Sequence, residues 1–597
     1  MPHKRKAASP QQLSPFKKQH VSPDKSNGAS ATDQYQNNSG LQPNLQPHFY
    51  PPEISSSRCA QYANGELSKP IDVLETALAS TSTQRQAIAG GRAVLHWFKR
   101  DLRVDDNRAL HAASQKAVGL GIPLLTMCIV SPQDYEAHST APVRVDLELR
   151  TLEVLKAELA ELNIPLFTAT VERRRDVVDF VLDRCEEWGV RHIYCNMEYE
   201  VDELRREAKM VRKGLDRGIA VKVLHDDILV PPGVLKNGQG EEFTVYSPWM
   251  RAWEKHLQTR PSRTEISPSP TANPPEARNL FSSLFSLPIP PAPPSKSLTP
   301  EERDRFTHLY PAGSPAAQAR LAHFLSSKAH QYNASRSDPA AHATSLLSPH
   351  LSVGSISART ILSLTRSIGQ PSNLSDWSRD GSRGGSGSAT WIRELAWREF
   401  YRHIMIAHPW VSMGKPFRYE LSPSNISWTP EPLATTYFTA WSLGQTGVPI
   451  IDAGMRQLLH LGWMHNRLRM VTASFLTHHL GVDWRRGEEW FMLHLVDGDV
   501  ASNSGGWGFC SGTGVERRGY LRIFNPWSQG REFDAEGEFV RRWVPELEGV
   551  EGKVLHDEGG DRGSVYPRPV IGHKEGREGA LERWRARRGG EEERIER

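Results

Sequence analysis

Three stretches in the second half of the chain carry side chains able to act on a bound ligand. Residues 391–403 read Trp-Ile-Arg-Glu-Leu-Ala-Trp-Arg-Glu-Phe-Tyr-Arg-His and have helical periodicity. Glu394 and Arg398 stand four apart and so share one helix face. The plain reading is an i,i+4 ion pair beside two core tryptophans, Trp391 and Trp397; the sharper one is an acid, a cation and flat aromatic faces around a ligand. Residues 463–470, Trp-Met-His-Asn-Arg-Leu-Arg-Met, form the second stretch. Residues 497–507, Asp-Gly-Asp-Val-Ala-Ser-Asn-Ser-Gly-Gly-Trp, form the third. A loop ending on a helix in this way brings backbone amides and carboxylates close to a planar ligand. Upstream, Thr344 and Ser345 precede Ser348-Pro349, which reads as an N-cap with proline at the first helical position. Such a helix start aims free amides and a positive dipole end at an anion.

Thirteen of the 17 tryptophans lie between Trp377 and Trp584. That density suits either a well-packed helical domain or stacking and redox work, and density alone does not choose between them. The bulk numbers bound the rest. At 597 residues the chain is too long for one core. A composition 38% hydrophobic and 24% charged fits a soluble globular protein with some polar, unfolded sequence. No apolar run reaches the ~18 residues of a membrane span. The basic, polar start has no secretory apolar core, so the chain reads as intracellular. The five cysteines are scattered without a CxxC pair, which argues against a disulfide framework and a zinc site; no metal is expected. A net charge of +4 points only weakly to an anionic partner.

These side chains need elements to hold them. Residues 1–90, rich in Ser, Gln, Asn and Pro, are expected to be disordered. Within them Lys4-Arg5-Lys6 and Lys17-Lys18 are spaced like a bipartite nuclear localisation signal, and Ser9, Ser14 and Ser22 each precede proline. A solvated basic tail is the alternative. Residues 91–257 alternate strand patterns (93–98, 122–130, 164–170, 192–196, 220–225) with helical ones (145–162, 176–188, 202–217). That alternation predicts an α/β domain, a parallel sheet with flanking helices. No GxGxxG follows the first strand, so an ordinary dinucleotide site is not supported there. The Pro- and Ser-rich 258–300 read as a linker, 301–550 as an all-α domain, 380–388 as a mobile Gly/Ser loop and 551–597 as a charged tail.

Taken in order, the three stretches resemble the DNA photolyase/cryptochrome family. His96-Trp-Phe-Lys-Arg-Asp-Leu-Arg103 and Asp106-Asn-Arg-Ala-Leu110 look like the family's opening strand and loop, and the likeness runs over roughly 92–547. Within the family the chain is most similar to the fungal class I cyclobutane pyrimidine dimer photolyases, on His225-Asp-Asp-Ile228, Tyr246-Ser-Pro-Trp249 and Tyr566-Pro-Arg-Pro569.

The resemblance implies a U-shaped FAD in the helical domain. Tyr332 and the run Thr344, Ser345, Leu346, Leu347 and Ser348 would contact its pyrophosphate and ribose. Trp391 and Arg398 would add to the site, Arg469 and Asp497 would pair beside the isoalloxazine ring, and Gly498 and Asp499 would lie nearby. Asn503 would face flavin N5, where a neutral amide favours the fully reduced flavin that repairs DNA; plant cryptochromes resemble this site with aspartate and animal ones with cysteine. The following residue, Ser504, departs from the family's frequent second Asn. Trp507, Trp484 and Trp428 match the family's electron-carrying chain. Trp428 lies thirteen residues before Trp441, where relatives show fewer, so an insertion at 431–437 leaves its place open.

The implied substrate is UV-damaged DNA with the dimer flipped out of the duplex, which requires an aromatic wall, groups for base edges and cations for phosphates. By resemblance Trp397 is the wall, Glu394 and Asn466 meet the dimer carbonyls and Met470 packs on the lesion. Phe509 stands where a second Trp is common, and Arg336, Arg467 and Arg522 would meet phosphates. The loop 515–521 departs from the family wording, and Arg517 and Arg518 add charge there. Asn196 and Glu198 resemble part of a 5,10-methenyltetrahydrofolate antenna site. The lysine of a bacterial relative aligns nearer Met413, with Lys415 close, so a deazaflavin or no antenna are alternatives. The expected activity is light-driven dimer repair in the nucleus, with the mitochondrion a second destination, by a monomer without membrane contact. A (6-4) photolyase, which needs a histidine acid over the lesion, and a cryptochrome-type photoreceptor with little repair are the rival readings.

Overall fold

The computed structural model describes residues 54–368, 387–420, 428–515 and 521–595. The basic clusters near the N-terminus, most of the Gly/Ser loop, and Arg517 and Arg518 lie outside the described residues. Helices α1 (Ser56–Ala63) and α2 (Pro70–Ser80), followed by a short turn of helix over Ser82–Gln86, lead into the first domain. The expectation of disorder through residue 90 is therefore corrected for 54–90. Ile71, Leu74 and Ala77 lie on one face of α2 and are buried, and Pro70 and Asp72 set its start. Cys59 and Tyr62 of α1 pack with Val201, Trp410 and Met413.

Five parallel strands follow: β1 (Ala93–Phe98), β2 (Leu124–Val130), β3 (Leu166–Thr170), β4 (Val190–Asn196) and β5 (Ala220–Leu224). They lie in the order β3-β2-β1-β4-β5. Every residue of β1 is buried, as a strand covered on both faces requires. The helices α3 (Arg108–Leu120), α4 (Pro142–Glu161), α5 (Val177–Trp188) and α6 (Val201–Asp216) cover the sheet. Helix α2 packs on α6, so the N-terminal arm is part of this domain.

The predicted connector is itself tied down, Asn273 bonding both backbone groups of Leu124 at 2.8 Å, and the helical half is built from elements on both sides of it. Its relevant elements are α7 (Tyr246–Thr259), α8 (Ser348–Val353), α9 (Gly387–Ala407), α10 (Asn466–Ser474), α11 (Trp484–His494), α12 (Val500–Ser511) and α13 (His573–Ile595). The halves share a core: Met405, Ile406, Met492 and Val500 join the cluster formed by β1, β4 and α6. Residues 551–595 are no loose tail. Leu555, Tyr566 and Ala580 are buried, and the Tyr566 hydroxyl bonds the buried Asp452. Among the described residues no helix is long and apolar enough to cross a membrane.

Candidate functional site

A cavity of about 520 Å³ opens between α8, α9, α10 and α12. Its depth and its mouth differ in chemistry. Deep inside, Arg469 donates from Nη2 to both oxygens of Asp497, at 3.0 and 2.8 Å, and from Nε to the Met464 carbonyl at 2.8 Å. The Asp497 side chain is only 4% exposed, so its charge depends on this partner. Asp499 caps α12 by accepting from the Ser502 amide, and it takes two bonds from Arg402 at 3.1 and 3.2 Å. Burial opposes the charge on Asp499, but Arg402 and Arg398 outweigh it and hold the carboxyl below its usual range.

Asn503 lies one turn into α12 and lines the cavity, its Nδ2 donating to the Glu488 carbonyl at 2.9 Å. Two glycines follow. A Cβ on Gly505 would come within 2.1 Å of the Tyr401 ring, whereas one on Gly506 would meet nothing within 4 Å and would enter the cavity. Tyr332, Thr344, Ser345, Leu346, Leu347, Ser348 and Trp391 line the opposite wall. Tyr332 and Trp391 meet edge to face at 5.9 Å, and the Trp391 Nε1 has no protein partner.

Several expectations need correction. Ser348 does not cap α8. Leu347 holds the cap position without a side-chain bond, and the Ser345 hydroxyl instead accepts from the Leu347 amide at 3.3 Å. Leu346 takes φ 53°, which turns the chain two residues before the helix. Glu394 and Arg398 share a face but do not pair. Glu394 meets Arg336 at 2.8 Å, and Arg398 reaches the Asp227 carboxylate beyond β5. Gly498 does not line the cavity; its carbonyl turns away and accepts from Arg144.

At the mouth, Glu394, Trp397, Asn466, Arg467, Met470 and Phe509 face one another across the opening. Burial pushes the Glu394 carboxyl up and Arg336 opposes that shift. Asn466 Nδ2 lies 4.0 Å from the Met470 sulfur. Arg522 sits outside the lining, over the Phe509 ring at 5.5 Å, and Arg467 lies over Phe533 at 4.4 Å.

Trp507 lines the cavity and is itself buried. Its ring presses on Gly487, one turn after Trp484, so closely that a Cβ there would approach to 2.1 Å. Thr429, next to Trp428, donates from its amide to the Gly481 carbonyl at 2.9 Å and from Oγ1 to the Leu480 carbonyl at 2.7 Å. These contacts place Trp428 beside the start of α11. Trp507 and Trp484 are buried and Trp428 is half-buried; the Trp507 ring meets Phe491 at 5.1 Å and Trp441 at 6.1 Å.

Asn196 and Glu198 lie elsewhere, at the carboxyl end of β4. Asn196 is buried and fully engaged: Nδ2 donates to Asp101 at 2.6 Å and Asn107 at 2.8 Å, and Oδ1 accepts from the Ala109 amide at 3.1 Å. Glu198 is enclosed by Lys99, Arg100 and Arg206. The space among these groups is about 40 Å³, room for little more than a water molecule. Both residues expected at the antenna site are thus engaged by their own neighbours. Met413 is buried under the N-terminal arm and Lys415 is also buried.

Sequence reasoning missed Asp227 and Arg402 as members of the site. Asp227 bonds both Arg398 and Arg402, linking the first domain to the cavity wall. Its only sequence signal is its place in the His-Asp-Asp-Ile stretch.

The chain matches two family models: one described as DNA photolyase over residues 94–273, the other as FAD binding domain of DNA photolyase over 391–586. It is 45% identical to the deoxyribodipyrimidine photo-lyase of Neurospora crassa over 558 residues, 90% of this chain and 88% of the relative. It is 38% identical to the enzyme of that name from Escherichia coli, over 83% of this chain and 99% of the relative. A mitochondrial deoxyribodipyrimidine photo-lyase of Saccharomyces cerevisiae is 33% identical over 90% of this chain and 94% of its own. Among solved structures, the bacterial class III photolyase of Agrobacterium tumefaciens superposes with a TM-score of 0.71 at 30% identity, covering 84% of this chain and 98% of its own. A Synechocystis cryptochrome superposes with a TM-score of 0.65 at 26% identity, covering 82% and 98%.

Proposed function

The chain belongs to the DNA photolyase family, and from that premise we propose that it is a deoxyribodipyrimidine photo-lyase that repairs cyclobutane pyrimidine dimers in DNA under blue light. The observation that carries this reading is the two-level cavity. Its depth has a buried, paired Arg469–Asp497 and an open place at Gly506; its mouth has an acid, a carboxamide, a thioether and two aromatic rings open to solvent.

The deep part fits FAD. The hydroxyls of Thr344, Ser345 and Ser348 suit a pyrophosphate and ribose, the unpartnered Trp391 Nε1 is a free donor, and the missing side chain at Gly506 leaves room for a flat ring. Reduced FAD, when bound, supplies the chemistry: an electron lent to the dimer under light and taken back after the cyclobutane ring opens. The protein's own residues do the rest. Asn503, held by Glu488, presents a neutral carboxamide where a carboxylic acid would be a proton source. Arg469 fixes a positive charge beside the ring and Asp497 balances it. Trp397 and Phe509 stack the flipped bases, Glu394 and Asn466 hold their carbonyl edges, and Met470 excludes water from the lesion. Arg336, Arg467 and Arg522 meet phosphates around the opening. Arg336 already pairs with Glu394, so arriving DNA competes for it and frees the acid for the base. Trp507, Trp484 and Trp428 relay an electron inward when the cofactor needs reduction.

The same reading takes the protein to act as a monomer and to reach the nucleus through Lys4-Arg5-Lys6 and Lys17-Lys18, with the mitochondrion as the alternative destination. It also takes a 5,10-methenyltetrahydrofolate antenna to lie near Asn196 and Glu198, with a deazaflavin or no antenna as the alternatives. The decisive experiment uses photoreduced holoprotein and an oligonucleotide carrying one thymine dimer, beside a (6-4) lesion and a dark control. Light-dependent recovery of thymine absorbance for the dimer alone is expected. No recovery by protein with fully reduced FAD would move the chain to the photoreceptors.

A further inference from the structure

Trp397 has company that the repair reading does not use. The Tyr246 ring lies over its indole with centroids 3.6 Å apart and planes 6° from parallel. Aromatic pairs more often sit offset or edge-on, at ~4.5–7 Å between centroids, so this overlap is unusually close. Tyr246 opens α7 and belongs to a different element from Trp397, on α9. Its hydroxyl donates to the Arg393 carbonyl at 3.2 Å, one residue before Glu394. Phe400 closes the group, with its edge toward both rings at 5.6 and 5.7 Å. Tyr246 does not line the cavity, whereas Trp397 does.

We propose that Tyr246 is the positioning residue that sets selectivity for the lesion, by backing Trp397 so that one indole face stays open to the flipped base. A half-buried indole with one free side can swing between rotamers, and a platform that swings stacks a base poorly. Tyr246 removes that freedom in two ways: its ring covers the far face, and its hydroxyl is tied to the backbone that carries both Trp397 and Glu394. The phosphate contacts of intact DNA do not pass through Trp397. Loosening the platform therefore weakens dimer binding and leaves binding to undamaged duplex alone. This inference rests on the reading of the cavity mouth as the lesion pocket.

The test compares wild type, Tyr246→Ala and Tyr246→Phe as FAD-loaded protein, binding one duplex with and without a single thymine dimer, in the dark. The expected result for Tyr246→Ala is a Kd for the dimer duplex raised about tenfold with an unchanged Kd for the undamaged one, in keeping with the worth of one base–aromatic stack. Tyr246→Phe keeps the covering ring and is expected to stay within about threefold of wild type. Under light, Tyr246→Ala should show a raised KM with repair per absorbed photon unchanged at saturating DNA. Equal losses for both duplexes, unchanged preference in Tyr246→Ala, or failure of phenylalanine to rescue overturns the inference. A wild-type protein that itself shows no preference for the dimer overturns the repair reading instead. Should Tyr246→Ala lose its FAD, Tyr246→Leu, which keeps bulk without a flat face, is read by the same criteria.

Discussion

Asp227→Asn is the perturbation with the furthest reach. Asp227 stands after β5 and holds two arginines of α9, Arg398 through one oxygen and Arg402 through the other at 2.6 Å. Burial opposes its charge, but Arg398 and Arg402 outweigh burial and hold its carboxyl well below the usual range. The variant keeps shape and volume and removes the charge. Arg402 retains its contact pair with Asp499, whereas Arg398, its side chain only 12% exposed, keeps the Asp227 carbonyl at 3.1 Å and only a longer-range attraction to Asp499. Breaking a buried pair costs about 3–5 kcal/mol. Asp227 is 36% exposed, so water screens part of that, and about 2 kcal/mol is the reasonable expectation. A carboxyl whose pKa is depressed by folding stabilises the protein above its unfolded value, about 3.9, and that stabilisation is lost as pH falls through the folded value. The assay is urea-induced release of flavin, followed by fluorescence, for wild type and Asp227→Asn at pH 7 and stepwise below pH 4. The variant should release flavin at lower urea at pH 7, and the gap should narrow as the pH drops. A gap that is absent at pH 7, or that stays constant down to pH 3, refutes the coupling of this carboxylate to the cavity wall.

The adjacent glycines of α12 separate stability from cofactor binding. Gly506→Ala has open space for its methyl and gains helix propensity, about 0.5–1 kcal/mol, so its melting temperature should hold or rise while FAD occupancy falls. Gly505→Ala drives a methyl into Tyr401 and should lower both; flavin absorbance per protein and thermal melting read the two effects, and normal FAD content in Gly506→Ala would refute the cradle. In the N-terminal arm, Leu74 is fully buried on α2, and Leu74→Ala should cost about 2–4 kcal/mol locally. Limited proteolysis should then cut near residue 90 before the rest of the chain, and unchanged resistance would show that the arm is not held by this face.

The sheet was legible because parallel strands covered on both faces are continuous apolar runs. The expected 93–98 coincides with β1, and the other strands differ only at their ends. The arm was illegible for the opposite reason. In residues 54–90 the apolar stripe is short and set among polar residues, and what holds it is α6, more than 100 residues away. Residues 551–595 hid in the same way. Their anchors Leu555, Tyr566 and Ala580 are too widely spaced for any helical window, and charge dominates the rest. Local composition reports whether a segment can bury itself, not whether another segment will bury it.

The site follows the same division. Side chains within one contiguous motif, such as Asp497 in the turn before α12 with Asn503 on it, or Asn466 with Met470 on α10, could be found by wording because a single short stretch presents them. Their charge partners could not. Arg398 reaches back 171 residues to Asp227, and Arg336 pairs across 58 residues with Glu394 in preference to the Arg398 four positions away. The geometry explains the preference. An i,i+4 pair at a half-exposed face gains only a few tenths of a kcal/mol, whereas Arg398 left without Asp227 would face a poorly hydrated wall with no carboxylate in contact. Each arginine is thus drawn to the carboxylate that most needs it. As a result the depth of the cavity is clamped by strong, buried pairs, and its mouth by Arg336–Glu394, a pair exposed enough to part. A cavity that keeps its cofactor while exchanging its substrate needs that inequality, and the ordering of burial along it, from 4% at Asp497 to 44% at Arg336, supplies it.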